Sequence, residues 1–157
     1  MKFRTRALPA AILLIGCPGA LCGQQASKPL ATIDLASDEL MSLNGLDRTV
    51  RVVFRSPAEW AAFWTAQRLP SYSEVPPEVD LRKEMVLLAA ADVAPDSLVG
   101  TQIDSVWIEP DTIVAAVKLY SGAGCSMPIV LAPVSAVRAP RMVLPARFVD
   151  SPVRGAC

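Results

Sequence analysis

The stretch Ser56-Pro57-Ala58-Glu59-Trp60-Ala61-Ala62-Phe63-Trp64 constrains this chain more than any other. Ser56 is a favoured N-cap, Pro57 suits the first helical position, and Glu59 stands three residues after the cap, as in a capping box. Trp60, Phe63, Trp64 and Leu69 follow at helical spacing, Gln67 and Arg68 face away, and Pro70 stops the run. The pattern predicts a helix over about 57–69. Each large aromatic side chain buries roughly 150–250 Å2, so three on one face call for a sheet to pack against. A second use of the stripe would be an aromatic platform for a small ligand.

The rest of the sequence supplies that sheet. Strand patterns occur at 30–35, 49–55, 84–91, 101–109, 112–120, 128–137 and 142–148. Pro110-Asp111 joins two of them as a hairpin, in the first of which Ile103, Ser105 and Trp107 alternate with Gln102, Asp104 and Val106. One helix among several strands with short loops predicts an α+β domain with a largely antiparallel sheet. The chain has 157 residues, of which 52% are hydrophobic, which fits a single domain and excludes disorder.

Its 15 basic residues balance 15 acidic ones, with no basic run, which argues against nucleic acid as a partner. Histidine is absent. That removes Ser–His–Asp triads, Cys–His pairs and His-based zinc sites.

The N-terminus reads as an export signal. Lys2, Arg4 and Arg6 precede the apolar segment 7–16, which is too short to span a bilayer. Leu14-Ile15-Gly16-Cys17 resembles a bacterial lipobox, which predicts a signal at 1–16, a lipidated Cys17, a tether over 17–29 and one domain over 30–157. Several acyl chains would anchor the protein stably in the cell envelope. The other reading is ordinary cleavage near Ala20-Leu21-Cys22-Gly23, which gives a soluble periplasmic or secreted protein. Cleavage before Cys17 removes three basic groups and no acids, leaving a formal charge of −3. Attachment to an anionic membrane would then depend on the lipid.

In an oxidising compartment cysteines pair. With Cys17 acylated, the expected disulfide is Cys125–Cys157, with Cys22 left over in the tether. The rival for Cys125 is a nucleophile in the Gly122-Ala123-Gly124 loop, but its neighbours offer neither base nor cation.

Other chemistry is sparse. Carboxylates are scattered, and the best candidate pair for a carboxylate-dependent enzyme is Asp80 with Glu84. The alternative for Asp80 is a turn residue before the strand at Met85. Arg51, Arg55, Arg138, Arg141 and Arg147 are spread through strands and loops and read as surface charges. No phosphate loop, calcium loop or cofactor motif is present.

Read together, Val52–Trp64 resembles the opening of the PrcB-type C-terminal domain: a strand, a break, then a helix with Glu-Trp and a second Trp four residues on. Val79-Asp80-Leu81 before Met85-Val86-Leu87-Leu88, Ser126-Met127-Pro128, and the ending Val143–Phe148 also fit, so the likeness spans about 48–149. Where that family carries a Gly-rich element, this sequence reads Asp96-Ser97-Leu98-Val99-Gly100, and that element's role does not transfer. The resemblance implies an envelope domain that associates with a protease, and it brings no catalytic residues. The resulting expectation is a non-catalytic lipoprotein without cofactor or metal that binds another exported protein. Its expected contact surface is the Pro-rich loop with Tyr72, Pro76 and Pro77, together with exposed sheet edges.

Overall fold

A computed structural model describes residues 27–35, 46, 48–67, 75–91, 98–121 and 134–154. Helix α1 (Pro57–Gln67) starts where the sequence places it. The Ser56 carbonyl accepts the first helical bond from Trp60 N at 3.2 Å, and Ser56 Oγ accepts from Glu59 N at 3.3 Å. The Glu59 carboxylate reaches back one residue further than in the usual box, accepting from Arg55 N at 3.3 Å. Ser56→Ala should therefore cost about 1 kcal/mol, read as a drop in the midpoint of urea unfolding. Leu69 lies outside the described residues.

Among the described residues there are eight strands: β1 (Lys28–Pro29), β2 (Ile33–Asp34), β3 (Val50–Phe54), β4 (Glu84–Ala90), β5 (Leu98–Ile108), β6 (Ile113–Ser121), β7 (Val134–Pro140) and β8 (Ala146–Arg154). They form two four-stranded sheets, ordered β1-β5-β6-β8 and β2-β7-β4-β3. Every pairing is antiparallel except β6 with β8, which is parallel. The expected largely antiparallel sheet with one aromatic-faced helix is present. It is divided in two, and strand far outweighs helix.

Three layers result. Val86, Leu88 and Ala90 of β4 pack with Phe54, Trp60, Trp64 and Leu81 on the helix side. Met85, Leu87 and Ala89 pack with Ile103, Val106, Ile113, Ala115 and Val117 of the opposite sheet. Successive side chains of a strand point to opposite faces, so a strand buried on both faces reads as one apolar run. This is why Met85–Ala90 shows no alternation, and all six residues are fully buried.

The two sheets meet along two seams. Instead of the one strand expected at 30–35, the segment 28–34 forms two short pieces, the first within the expected tether, because it crosses between sheets. It pairs with β5 at Ile108 and Trp107, and with β7 at Arg138 and Val137. Leu30 N and Leu35 N donate to the carbonyls of Val106 and Ala136 at 2.8 and 2.9 Å. Nearby, Ile103 N on β5 donates to Ser135 Oγ on β7 at 3.0 Å.

The second seam is held by Arg51 and Arg55, which corrects the reading of these two as surface charges. Arg51 on β3 makes a two-pronged contact with the Asp150 carboxylate on β8, with Nε and Nη2 each 3.0 Å from an oxygen, and also donates to the carbonyls of Val50 and Ala90. Arg55 donates to the carbonyls of Met142 at 2.8 Å and Leu144 at 2.6 Å. Arg141, although exposed, donates to the Leu81 carbonyl at 2.8 Å. The strand expected at 142–148 begins only at Ala146, opposite Ile113, where its ladder partner β6 itself starts. The strand then continues to Arg154 through Pro152. The bond from Ile113 N to the Pro145 carbonyl sets the parallel ladder so that odd-numbered residues of β8 face β6. Pro152, which has no N–H to donate, therefore turns its nitrogen to the open edge, where it removes no ladder bond.

The alternation expected for β5 fails at one point. A bulge between Ile103 and Ser105 leaves Asp104 without a register partner on β6. Ile103 and Val106 thus both face the core, and Ser105 turns to solvent.

Candidate functional site

Of the expected partner-binding residues, the structure describes Pro76 and Pro77. Tyr72 lies outside the described residues, as do Cys17, Cys22, Cys125 and Cys157. Both prolines are half-buried. The Pro77 carbonyl accepts a hydrogen bond from Trp60 Nε1 at 3.2 Å. Trp60 is itself 3% exposed and packs against Phe54 and Trp64 with ring centroids 5.0 and 5.5 Å apart. A buried indole N–H needs an acceptor, and here the acceptor pins the end of the proline segment to the helix. Val75, next in line, is 72% exposed. The segment thus presents an apolar side chain from an anchored, conformationally restricted backbone. The aromatic stripe is used for packing on β3 and β4 and for this anchor.

Asp80 stands in the turn before β4. Its carbonyl accepts from Lys83 N and Glu84 N at 2.8 and 2.9 Å, and its carboxylate accepts from Arg82 N at 3.3 Å and Arg82 Nε at 3.1 Å. Lys83 Nζ is 3.5 Å from the other oxygen. Glu84 opens β4 and has a different cation, Arg138 Nη1 at 3.7 Å. The two carboxylates are therefore each turned to a local partner. On the β5–β6 hairpin, Lys118 pairs with Asp104, and Arg147 of β8 pairs with Glu109 at 3.3 Å. Among the described residues no three Cys, Asp or Glu side chains converge as metal ligands. No described helix is long and apolar enough to cross a membrane.

Electrostatics reinforce these pairs. The hydrogen bond from Arg82 holds the Asp80 carboxyl below its ordinary range, and bonds from Arg55 N and Ser56 hold Glu59 below its own. The bond to Asp104 holds the Lys118 ammonium above its usual value. Each shift moves the group away from neutrality, which suits ion pairs and caps rather than proton transfer near pH 7. A lowered carboxyl stabilises the fold above its unfolded value, and that contribution is lost as pH falls through the lower folded value. Stability should thus decline below the ordinary carboxylate range, near the reference values of 4.5 for Glu59 and 3.8 for Asp80. Lys118 acts in the opposite sense, with its contribution lost only as pH rises above 10.5. Thermal melts of Asp80→Asn and Glu59→Gln against pH should show a flatter acid limb than the parent.

Comparisons with protein-family models, with curated proteins and with solved structures find no match.

Proposed function

We propose that this chain is a non-catalytic, lipid-anchored envelope protein whose β-rich domain binds another exported protein, as an accessory subunit of a secreted or envelope protease. The observation that carries this reading is the anchored proline segment. Trp60 fixes Pro77 to the helix while Val75 stays exposed, and a surface already ordered before binding loses less entropy on association. The pairing of the described hairpin, turn and seam charges with one another supports a binding role over acid–base chemistry. The likeness to PrcB-type domains supplies the class of partner, and the lipobox at Cys17 supplies the anchor, with a Cys125–Cys157 disulfide closing the domain.

The test uses the full lipidated chain from its own envelope, solubilised in detergent and captured by a C-terminal tag. A partner should co-purify stoichiometrically and dissociate when Tyr72→Ala is combined with Pro76→Ala. Unchanged co-purification with that variant, in a domain that still melts cooperatively, would refute the assignment to this loop. Growth in labelled palmitate should mark the parent and not Cys17→Ser.

A further inference from the structure

The sheet β1-β5-β6-β8 has one face against β4 and β7, and its other face carries a second surface. Register places Trp107 opposite Val114, and Val114 opposite Arg147. Ile113, Ala115 and Val117 point to the core, so Val114 points outward, yet it has no exposed surface. Trp107 and Arg147 flank it, and Glu109 ties them together. Glu109 Oε1 accepts from Trp107 Nε1 at 3.2 Å, and both Glu109 oxygens lie 3.3 Å from Arg147 Nη2. With its N–H engaged by Glu109, the indole is held on the face that it shares with Val114.

At the other end of the hairpin the same arrangement recurs with tyrosine. Tyr120 is paired with Gly100, and a Cβ built there would lie 3.6 Å from Tyr120 Cδ2. The ring thus rests across the glycine, and its hydroxyl donates to Gln102 Oε1 at 2.9 Å, two residues along β5. Val114 and Tyr120 are six residues apart on β6, which at the rise of a strand separates the two backbone positions by about 20 Å. Between them lie Ser105 and the Lys118–Asp104 pair, and the formal charges of Lys118, Asp104, Arg147 and Glu109 cancel within the face.

We propose that this face binds an uncharged oligosaccharide of β-linked pyranoses. The apolar C–H face of a pyranose stacks on an aromatic ring, and its equatorial hydroxyls reach the neighbouring carboxylates, amide and guanidinium. A surface whose charges are already neutralised favours a neutral polyol over an ionic ligand, and two rings carried at strand positions about 20 Å apart fit a chain of sugars rather than a single one. The site is separate from the proline segment, and the inference does not depend on that segment's role.

The test is calorimetric titration of the full chain in detergent with chitohexaose and cellohexaose, alongside their trimers. At least one hexamer should bind, and its trimer more weakly. Trp107→Ala and Tyr120→Ala should each weaken hexamer binding by about tenfold, and Trp107→Phe, which keeps an aromatic face, should recover much of the loss. Cooperative melting of each variant guards against misfolding. Absence of binding by both hexamers to the folded parent would overturn the proposal. So would binding that survives both alanine variants, or equal affinity for trimer and hexamer. Loss of the co-purified protein in Trp107→Ala without any saccharide binding would assign the face to the protein partner instead.

Discussion

Leu87→Ala and Leu88→Ala are expected to destabilise the domain by similar amounts, about 2–5 kcal/mol each. The two residues are adjacent on β4, so their side chains occupy opposite faces, and both are fully buried. Leu88 fills the layer between the sheet and α1, and Leu87 the layer between the two sheets. In an antiparallel strand with one wet face, one of the two substitutions would be nearly neutral. Here each opens a cavity that its surroundings close only in part. Against a typical domain stability of roughly 5–15 kcal/mol, either loss would move the urea midpoint far down. The double variant should leave little folded protein at 37 °C.

Arg55→Ala should cost about 2–4 kcal/mol, since it breaks two charge-assisted bonds and leaves the carbonyls of Met142 and Leu144 without this donor. These carbonyls belong to the connection that carries the chain from β7 in one sheet to β8 in the other. Arg55→Lys should recover only part of the loss, because an ammonium lacks the fork that spans two acceptors. Arg51→Ala combined with Asp150→Ala in a double-mutant cycle should give a smaller coupling of about 0.5–1 kcal/mol. Asp150 is 42% exposed, and water competes for its charge. Chemical denaturation of the single and double variants measures both quantities. A null effect for Arg55→Ala would mean that the connection from β7 to β8 does not depend on these two bonds.

The parts of this fold that were legible in the sequence are the local ones. Ser56, Pro57 and Glu59 define the start of α1 through bonds within one turn, and Pro110-Asp111 defines the β5–β6 hairpin. Asp80 was readable as a turn residue for the same reason. The division into two sheets was not readable, because it depends on which strands meet across long separations. The apolar run of β4 contained the clue that the strand is buried twice, but a run of that kind also fits other buried segments. The bulge at Asp104 changes the face of every later residue of β5 without a compositional signal. Arg51 and Arg55 look like exposed cations until β8 is placed beside β3. The pairing of Trp107 with Val114 and Arg147 required the parallel register of β8, and the anchor from Trp60 to Pro77 required the helix and the loop in their folded places.

The central claim, that the anchored proline segment is where the domain meets an exported partner, is tested most directly by site-specific photocrosslinking in the source cells. Val75 is replaced by p-benzoylphenylalanine in the full chain, and Asp111, exposed at the hairpin turn, by the same group as a control. The account predicts one dominant adduct from position 75, a single exported protein, and little or none from position 111. Equal adducts from both positions, or none from position 75 in a correctly folded and exported chain, would contradict it.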